Sequence, residues 1–274
     1  MAMNKGGMVW LAAMMLALAP ALAASDLEVL WRTFDCPPMY ISEGPLAGQG
    51  FMDRQLQTLT ARLPALRHRI ADVTLARAWY EVEHQDATCI LGIRKTPERE
   101  KVALFSRVLS IARGSRLVVP ADRLAEAAPL VGSDGAVDLG RLASRADLRG
   151  GYIGRRDYGA GISQFLQDPA RQAAMEVVPN ERQLFHLLES RRIDFFFSYP
   201  SEIEYRQISS GEADGFSMLP IHDDQGAVES YVACSKTPAG QLIIGQVDRV
   251  LADPAIYAQL QTPRDGWTRS ASLK

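Results

Sequence analysis

Short apolar runs alternate with helical stretches along this chain, and the alternation breaks off and restarts at mid-sequence. Leu27–Phe34 mixes β-branched, aromatic and aliphatic residues and ends at Asp35-Cys36-Pro37-Pro38, a strong stop. Phe51–Leu63 places Met52, Leu56, Leu59 and Leu63 at helical spacing, and Pro64 ends it. His68–Val73 predicts a second strand, Leu75–Val82 a helix and Ala87–Ile93 a third strand. The order β-α-β-α-β calls for a parallel sheet with helices over its faces. A short strand at Arg116–Val119 stops at Pro120, and a polar stretch through Gly132, Asp134, Gly135 and Gly140 reads as a connection.

Then the pattern begins again. Gly151–Gly154 predicts a strand, Ala160–Leu166 a helix and Met175–Val178 a strand. Asn180–Glu189 predicts a helix with Asn180 as its N-cap, because an Asn side chain can accept from the first unpaired backbone N–H groups. Ile193–Phe197 is a compact apolar strand, Pro200–Ile208 is helical in composition, and Phe216–Ile221 and Ser230–Cys234 are strand-like. The tail Ala239–Leu260 is amphipathic, with Leu242, Ile243, Val247, Val250 and Leu251 on one face. The 274 residues can therefore form two similar α/β lobes, each with its own core.

Composition narrows the class further. The chain is 47% hydrophobic and 23% charged, which excludes a disordered or fibrous protein. A formal net charge of −2 offers no basic footprint for nucleic acid. The N-terminus is different in kind. Lys5 is the only charge in the first 25 residues, an apolar run covers Met8–Ala19, and Ala21-Leu22-Ala23 follows Pro20. That run is too short to span a bilayer, which takes about 20 residues. It reads as an export signal, residues 1–23, cut after Ala23. Export permits a disulfide, but three cysteines (Cys36, Cys89 and Cys234) leave at least one thiol over within a single chain. G-x-S-x-G, H-E-x-x-H and P-loop motifs are all missing, and the four histidines are scattered, so no catalytic residue, metal or cofactor is indicated.

Several short patterns fall at strand ends. Asp35-Cys36-Pro37-Pro38-Met39-Tyr40 follows the first strand, and Gly48-Gln49-Gly50-Phe51-Met52-Asp53 opens the first helix. Thr96-Pro97-Glu98-Arg99 follows the third strand, with Phe105-Ser106 shortly after. Leu148-Arg149-Gly150-Gly151-Tyr152-Ile153-Gly154 opens the second unit, and Arg192-Ile193-Asp194 comes later. In this order they resemble the family 3 extracellular solute-binding proteins, the periplasmic two-lobe receptors of amino-acid-type importers, in a divergent branch. The resemblance covers about residues 27–262.

The resemblance implies an α/β type 2 periplasmic binding fold: two lobes joined by two crossing strands around a ligand cleft. On it, residues 24–120 are the first part of lobe 1, 121–222 lobe 2 with its connection, and 223–274 the return to lobe 1 with a C-terminal helix. Arg99 corresponds to the arginine that holds a ligand carboxylate, a role that suits the planar fork of a guanidinium. A surface arginine paired with Glu98 or Glu100 is the other reading. Thr96 either donates to the same anion or caps the following helix. Cys36 and Tyr40 take the place of the family's aromatic after the first strand, so Cys36 would line the cleft.

The family's acidic acceptor for a ligand ammonium corresponds here to Tyr199, which brings no countercharge, with Glu202 further on. Tyr199 is then either a cleft wall or a packed hinge aromatic. The second-lobe turn carries Arg156 and Tyr158, both within reach of a ligand, and Gly159 and Gly161 permit close backbone approach. The fold also sets Cys89 beside Cys234, which makes them the pair to form a disulfide.

The function so implied is capture of a small polar, carboxylate-bearing ligand by lobe closure in the periplasm. The chain would be a monomer serving the membrane component of an ABC-type importer, or a sensor. The alternative is an enzyme on the same fold, such as a cyclohexadienyl-dehydratase-like lyase, with Glu202 or Asp194 as general acid. A module that recognises a protein partner is a third reading.

Overall fold

A computed structural model describes residues 27–210, 215–222 and 227–261. The expected export signal, residues 1–23, lies outside them. The first lobe contains β1 (Glu28–Thr33), α1 (Phe51–Ala61), β2 (Arg67–Asp72), α2 (Leu75–His84), β3 (Thr88–Ile93), α3 (Pro97–Val102), β4 (Ala103–Phe105) and β5 (Ser110–Arg113). The second contains β6 (Arg116–Pro120), a 3-10 helix (Ala121–Leu130), α4 (Leu139–Ala143), β7 (Gly150–Ile153), α5 (Ala160–Gln167), α6 (Pro169–Gln172), β8 (Met175–Val178), α7 (Glu181–Glu189), β9 (Phe195–Ser198), α8 (Pro200–Ser210) and β10 (Phe216–Pro220). The chain then returns to the first lobe as β11 (Ala227–Ser235), α9 (Pro238–Leu251) and α10 (Pro254–Leu260).

Each lobe is built on one sheet. The first has the order β2-β1-β3-β11-β4, with β5 also paired to β11; β2, β1 and β3 run parallel and β11 antiparallel to β3. The second has the order β10-β6-β9-β7-β8, with β9, β7 and β8 parallel. Arg116–Pro120 pairs with Phe216–Pro220 in this second sheet, although the sequence counted it with lobe 1. The chain crosses between lobes twice. β5 leads into β6, and β11 leads back, and the two segments pair antiparallel from Ala227↔Arg113 to Ser230↔Ser110. Ser110 and Ser230 join their buried hydroxyls across this ladder at 2.7 Å.

Side-chain alternation along the strands explains the layering. In β9, Phe195 and Phe197 pack on one face with Leu117 and Phe165, while Phe196 packs on the other with Leu184, Phe185 and Ile203. One phenylalanine run thus feeds two cores. The first lobe has a single larger core, with Trp31, Leu59, Trp79, Ile90 and Val247 all nearly inaccessible.

Helix starts follow local chemistry. Thr74, Thr96, Asn180 and Thr237 each accept a backbone N–H of the first helical turn, contacts worth about 1 kcal/mol apiece. The amphipathic tail departs from the expected continuous stretch. It breaks after Leu251, because Pro254 has no N–H to continue the ladder, and Asp253 caps a new helix.

Cys89 and Cys234 face each other in the β3–β11 register and are joined by a disulfide 145 residues apart in sequence. Cys36 is free and buried.

A candidate ligand cleft between the lobes

In open sheets of this kind the crevice forms beyond the carboxyl ends of the parallel strands. Four such ends meet here: β1 leads into Asp35 and Cys36, β3 into Thr96 and Arg99, β7 into the turn from Gly154 to Gly159, and β9 into Tyr199 and Glu202. The turn after β7 carries Arg155 at φ 66°, a left-handed conformation that costs a non-glycine residue roughly 1–2 kcal/mol. Gly159, at φ 100°, closes the turn and caps α5.

Contacts across the cleft hold the lobes together. Arg94 pairs with Asp157 at 3.0 Å, Arg155 with Glu83 at 2.7 Å and Arg182 with Asp35 at 3.2 Å. The Cys36 thiol donates to Glu202 Oε1 at 3.3 Å. Two cavities lie along the same seam. One, of about 390 Å³, is lined by Trp79, Thr96 and Arg99 from the first lobe and by Arg155, Arg156 and Ser163 from the second. The other, of about 320 Å³, is more apolar and lies among Phe34, Cys36, Met39, Val73, Leu75 and Ile153. Arg156 lines both. Each volume falls in the range of small-molecule sites.

Arg99 is half-buried in the first cavity. Its guanidinium stacks 4.6 Å over Trp79 and donates to the carbonyls of Arg94 and Arg155, both at 2.8 Å. Among the described residues no carboxylate comes within ion-pair distance of it, so the surface pairing with Glu98 or Glu100 is not formed. Loss of solvent lowers its pKa to about 10; Asp157 opposes the shift, and Arg155 and Arg94 add to it. Thr96 caps α3 by accepting from the Arg99 N–H at 3.2 Å.

Arg156 is the opposite case. Its side chain is only 8% exposed, and Nη2 donates to both oxygens of Glu202 at 2.9 and 2.7 Å. The guanidinium carbon lies 4.8 Å from the Tyr199 ring centroid and 5.1 Å from that of Tyr158. Burial works against this cation, but Glu202 outweighs it and holds the group charged.

Glu202 and Glu181 form a buried carboxyl pair around Ser198. Ser198 Oγ contacts Glu202 Oε2 at 2.7 Å and also touches Glu181. One hydroxyl hydrogen cannot serve both, so the second contact needs a proton on a carboxyl group. Burial and the Glu202 charge push the Glu181 pKa well up, which makes Glu181 the protonated member. Burial opposes the Glu202 charge too, but Arg156 keeps Glu202 ionised. Cys36, Glu181 and Glu202 bring their donor atoms within 4.8 Å of one another, an arrangement a metal ion could use. Here Arg156 already supplies the positive charge, and the Cys36 thiol is held protonated by burial and by Glu202.

Two expected cleft walls lie elsewhere. Tyr40 is buried in the first core, packs 5.3 Å from Phe34 and donates to the Leu91 carbonyl at 3.0 Å. Tyr158 is fully buried, and its hydroxyl accepts the Ile153 N–H at 2.9 Å. It touches the cleft only through the face it presents to Arg156. Asp194 precedes β9, at the end remote from the cleft, where it holds Arg123 and the Arg149 N–H. It is therefore no candidate for acid chemistry beside Glu202. Glu181 and Ser198 escaped the sequence reading altogether, because neither sits in a motif and their partners come from other elements.

No family model matches the chain, and no curated protein matches it. Solved structures do. An amino acid ABC transporter substrate-binding protein from Streptococcus pneumoniae, bound to L-arginine, superposes with a TM-score of 0.67 at 15% identity over 91% of this chain and 98% of that one. A histidine kinase sensor domain with similarity to periplasmic binding proteins gives 0.66 at 12% identity, over 89% and 96%. The GluR0 ligand-binding core from Nostoc punctiforme, in complex with L-glutamate, gives 0.58 at 15% identity, over 88% and 98%. At these identities the likeness is one of fold: the chain has the periplasmic-binding-protein fold, shared by transport receptors and by sensor domains.

Proposed function

We propose that this protein is a solute-binding protein that captures a small carboxylate-bearing ligand between its lobes after export to the periplasm. The observation that carries the reading is Arg99, a cation largely stripped of water, stacked on Trp79 in an interlobe cavity and facing no carboxylate of its own. A ligand carboxylate would complete it as a charge-assisted, bidentate pair. Thr96 and Arg155 frame the same cavity, and Tyr199 stands beside Arg156 on the second-lobe side. Closure draws its energy from contacts that exist only when both lobes touch the ligand. The closed form would then be read by an ABC-type importer or by a sensor, in keeping with the transporter and sensor settings of the structural neighbours.

The test is calorimetric titration of the exported chain, purified without refolding, against amino acids and organic acids. Arg99→Ala should weaken the best ligand about 10- to 100-fold, the range for hydrogen bonds between charged groups. Unchanged affinity in that variant would remove Arg99 as the anchor.

A further inference from the structure

Arg156 fills, with its own side chain, the part of the cleft best suited to a basic ligand group. Two tyrosine faces and a carboxylate surround its guanidinium, which is a complete recognition set for such a cation. Glu202 has nothing left to offer a second cation. Besides both contacts from Arg156 it accepts Ser198 Oγ at 2.7 Å, the Tyr199 N–H at 3.1 Å and the Cys36 thiol at 3.3 Å. A carboxylate has about four lone-pair sites, so five contacts saturate it.

The remaining carboxylates along the seam are no better placed. Glu83, Asp157 and Asp35 are each paired with an arginine across the cleft. Among the described residues no cation pairs with Glu98 or Asp72, but both are exposed at the rim, where water competes for them. Donors, by contrast, are in surplus. Among the described residues, Arg99 hydrogen-bonds only to backbone carbonyls, and buried Arg156 Nη1 has no hydrogen-bond partner. A buried donor of this kind calls for an acceptor.

We infer that the cleft selects a carboxylic acid without an amine: an acid whose carboxylate meets Arg99 and whose oxo, hydroxyl or second carboxylate oxygen meets Arg156 Nη1, with the matching amino acid rejected. The inference rests on the reading of the cleft as a solute site and adds the class of solute. An ammonium brought into this cleft would lose its water and find no buried carboxylate open to it.

Two matched pairs test it by calorimetry on the wild-type chain: 2-oxoglutarate against L-glutamate, and pyruvate against L-alanine. Within each pair only the oxo and amino groups differ. At least one oxo acid should bind, at least tenfold tighter than its amino partner, and L-arginine should give no measurable binding. Equal or tighter binding of the amino acids overturns the selectivity while leaving a solute-binding protein. Failure of all five probes overturns both readings.

A second experiment addresses the occupant directly. Arg156→Ala empties the space between Tyr158, Tyr199 and Glu202. Millimolar guanidinium or L-arginine should then raise the melting temperature of that variant and not of the wild type. If the variant folds and neither compound distinguishes it from wild type, the inference fails. If it does not fold, the matched pairs on the wild type decide.

Discussion

Two arginines face the same cleft from opposite lobes, and the structure treats them in opposite ways. Arg156 has a buried carboxylate, two aromatic faces and a raised pKa. Arg99 has one aromatic face, two carbonyls and a pKa lowered to about 10. The residue type is the same, and beyond the deeper burial of Arg156 the difference lies in what each was given to neutralise it. Arg156 is tied through Nη2 to the scaffold of lobe 2 and keeps only Nη1 for a ligand. Arg99 is left incomplete, which is what a site for an external anion requires. The lesson is that an arginine in a cleft says little about ligands until its carboxylates have been traced.

The contrast can be broken from either side. The largest effect is expected at Glu202. Glu202→Ala leaves Arg156 buried and uncompensated, a loss of about 3–5 kcal/mol. At roughly 2–4 °C per kcal/mol for a chain of this size, the melting temperature should fall by about 10 °C in a thermal scan. A fall of only a degree or two would mean that Arg156 is not held by charge.

On the other side, Arg99 must be protonated to hold a carboxylate. Its lowered pKa therefore sets an upper pH limit on binding. Affinity should stay level from pH 7 to 9 and then fall as pH passes about 10, approaching roughly tenfold per pH unit. A profile that is flat to pH 11 would exclude Arg99 from the binding step.

A smaller effect is expected at Glu181. Its folded pKa lies above the unfolded value, so its contribution to stability is present at low pH and is lost as pH rises through the folded pKa. Glu181→Gln supplies a permanent donor toward Glu202 without a titratable proton. The variant should match wild type near pH 5 and exceed its melting temperature at pH 8 by roughly 2–4 °C, the equivalent of about 1 kcal/mol.

The smallest effect on binding belongs to Tyr40, whose hydroxyl serves Leu91. Tyr40→Phe should lower stability by about 1 kcal/mol by removing that hydrogen bond, with ligand affinity unchanged within about twofold. A tenfold affinity loss would return Tyr40 to the cleft.

The lobes themselves were largely legible. Apolar spacing located α1, α2 and α7, and dense apolar runs located β1, β3 and β9, because a strand or helix face declares itself within a few residues. The strands β4 and β5 were not, since three or four residues without a dense apolar run carry too little pattern. In the site, Thr96-x-x-Arg99 stood out as a local motif. The allocation of Arg156 to Glu202 did not, because it depends on a contact 46 residues apart in sequence. The tyrosines misled for the same reason. The hydroxyl partner of Tyr40 is 51 residues away in the chain, and a sequence alone cannot tell a tyrosine that reaches a backbone carbonyl from one that faces a cavity.

The Cys89–Cys234 bridge bears on how such a chain comes to be assembled. All of lobe 2 lies between the two cysteines, as one uninterrupted stretch from β6 to β10. The first sheet, in contrast, has β11 inserted between β3 and β4, so it cannot close until nearly the last residues have been made. In a chain that emerges N-terminus first, lobe 2 has everything it needs while lobe 1 still waits for an interior strand. The disulfide then seals a step that is already late, fastening the returning strand only once the second lobe has emerged.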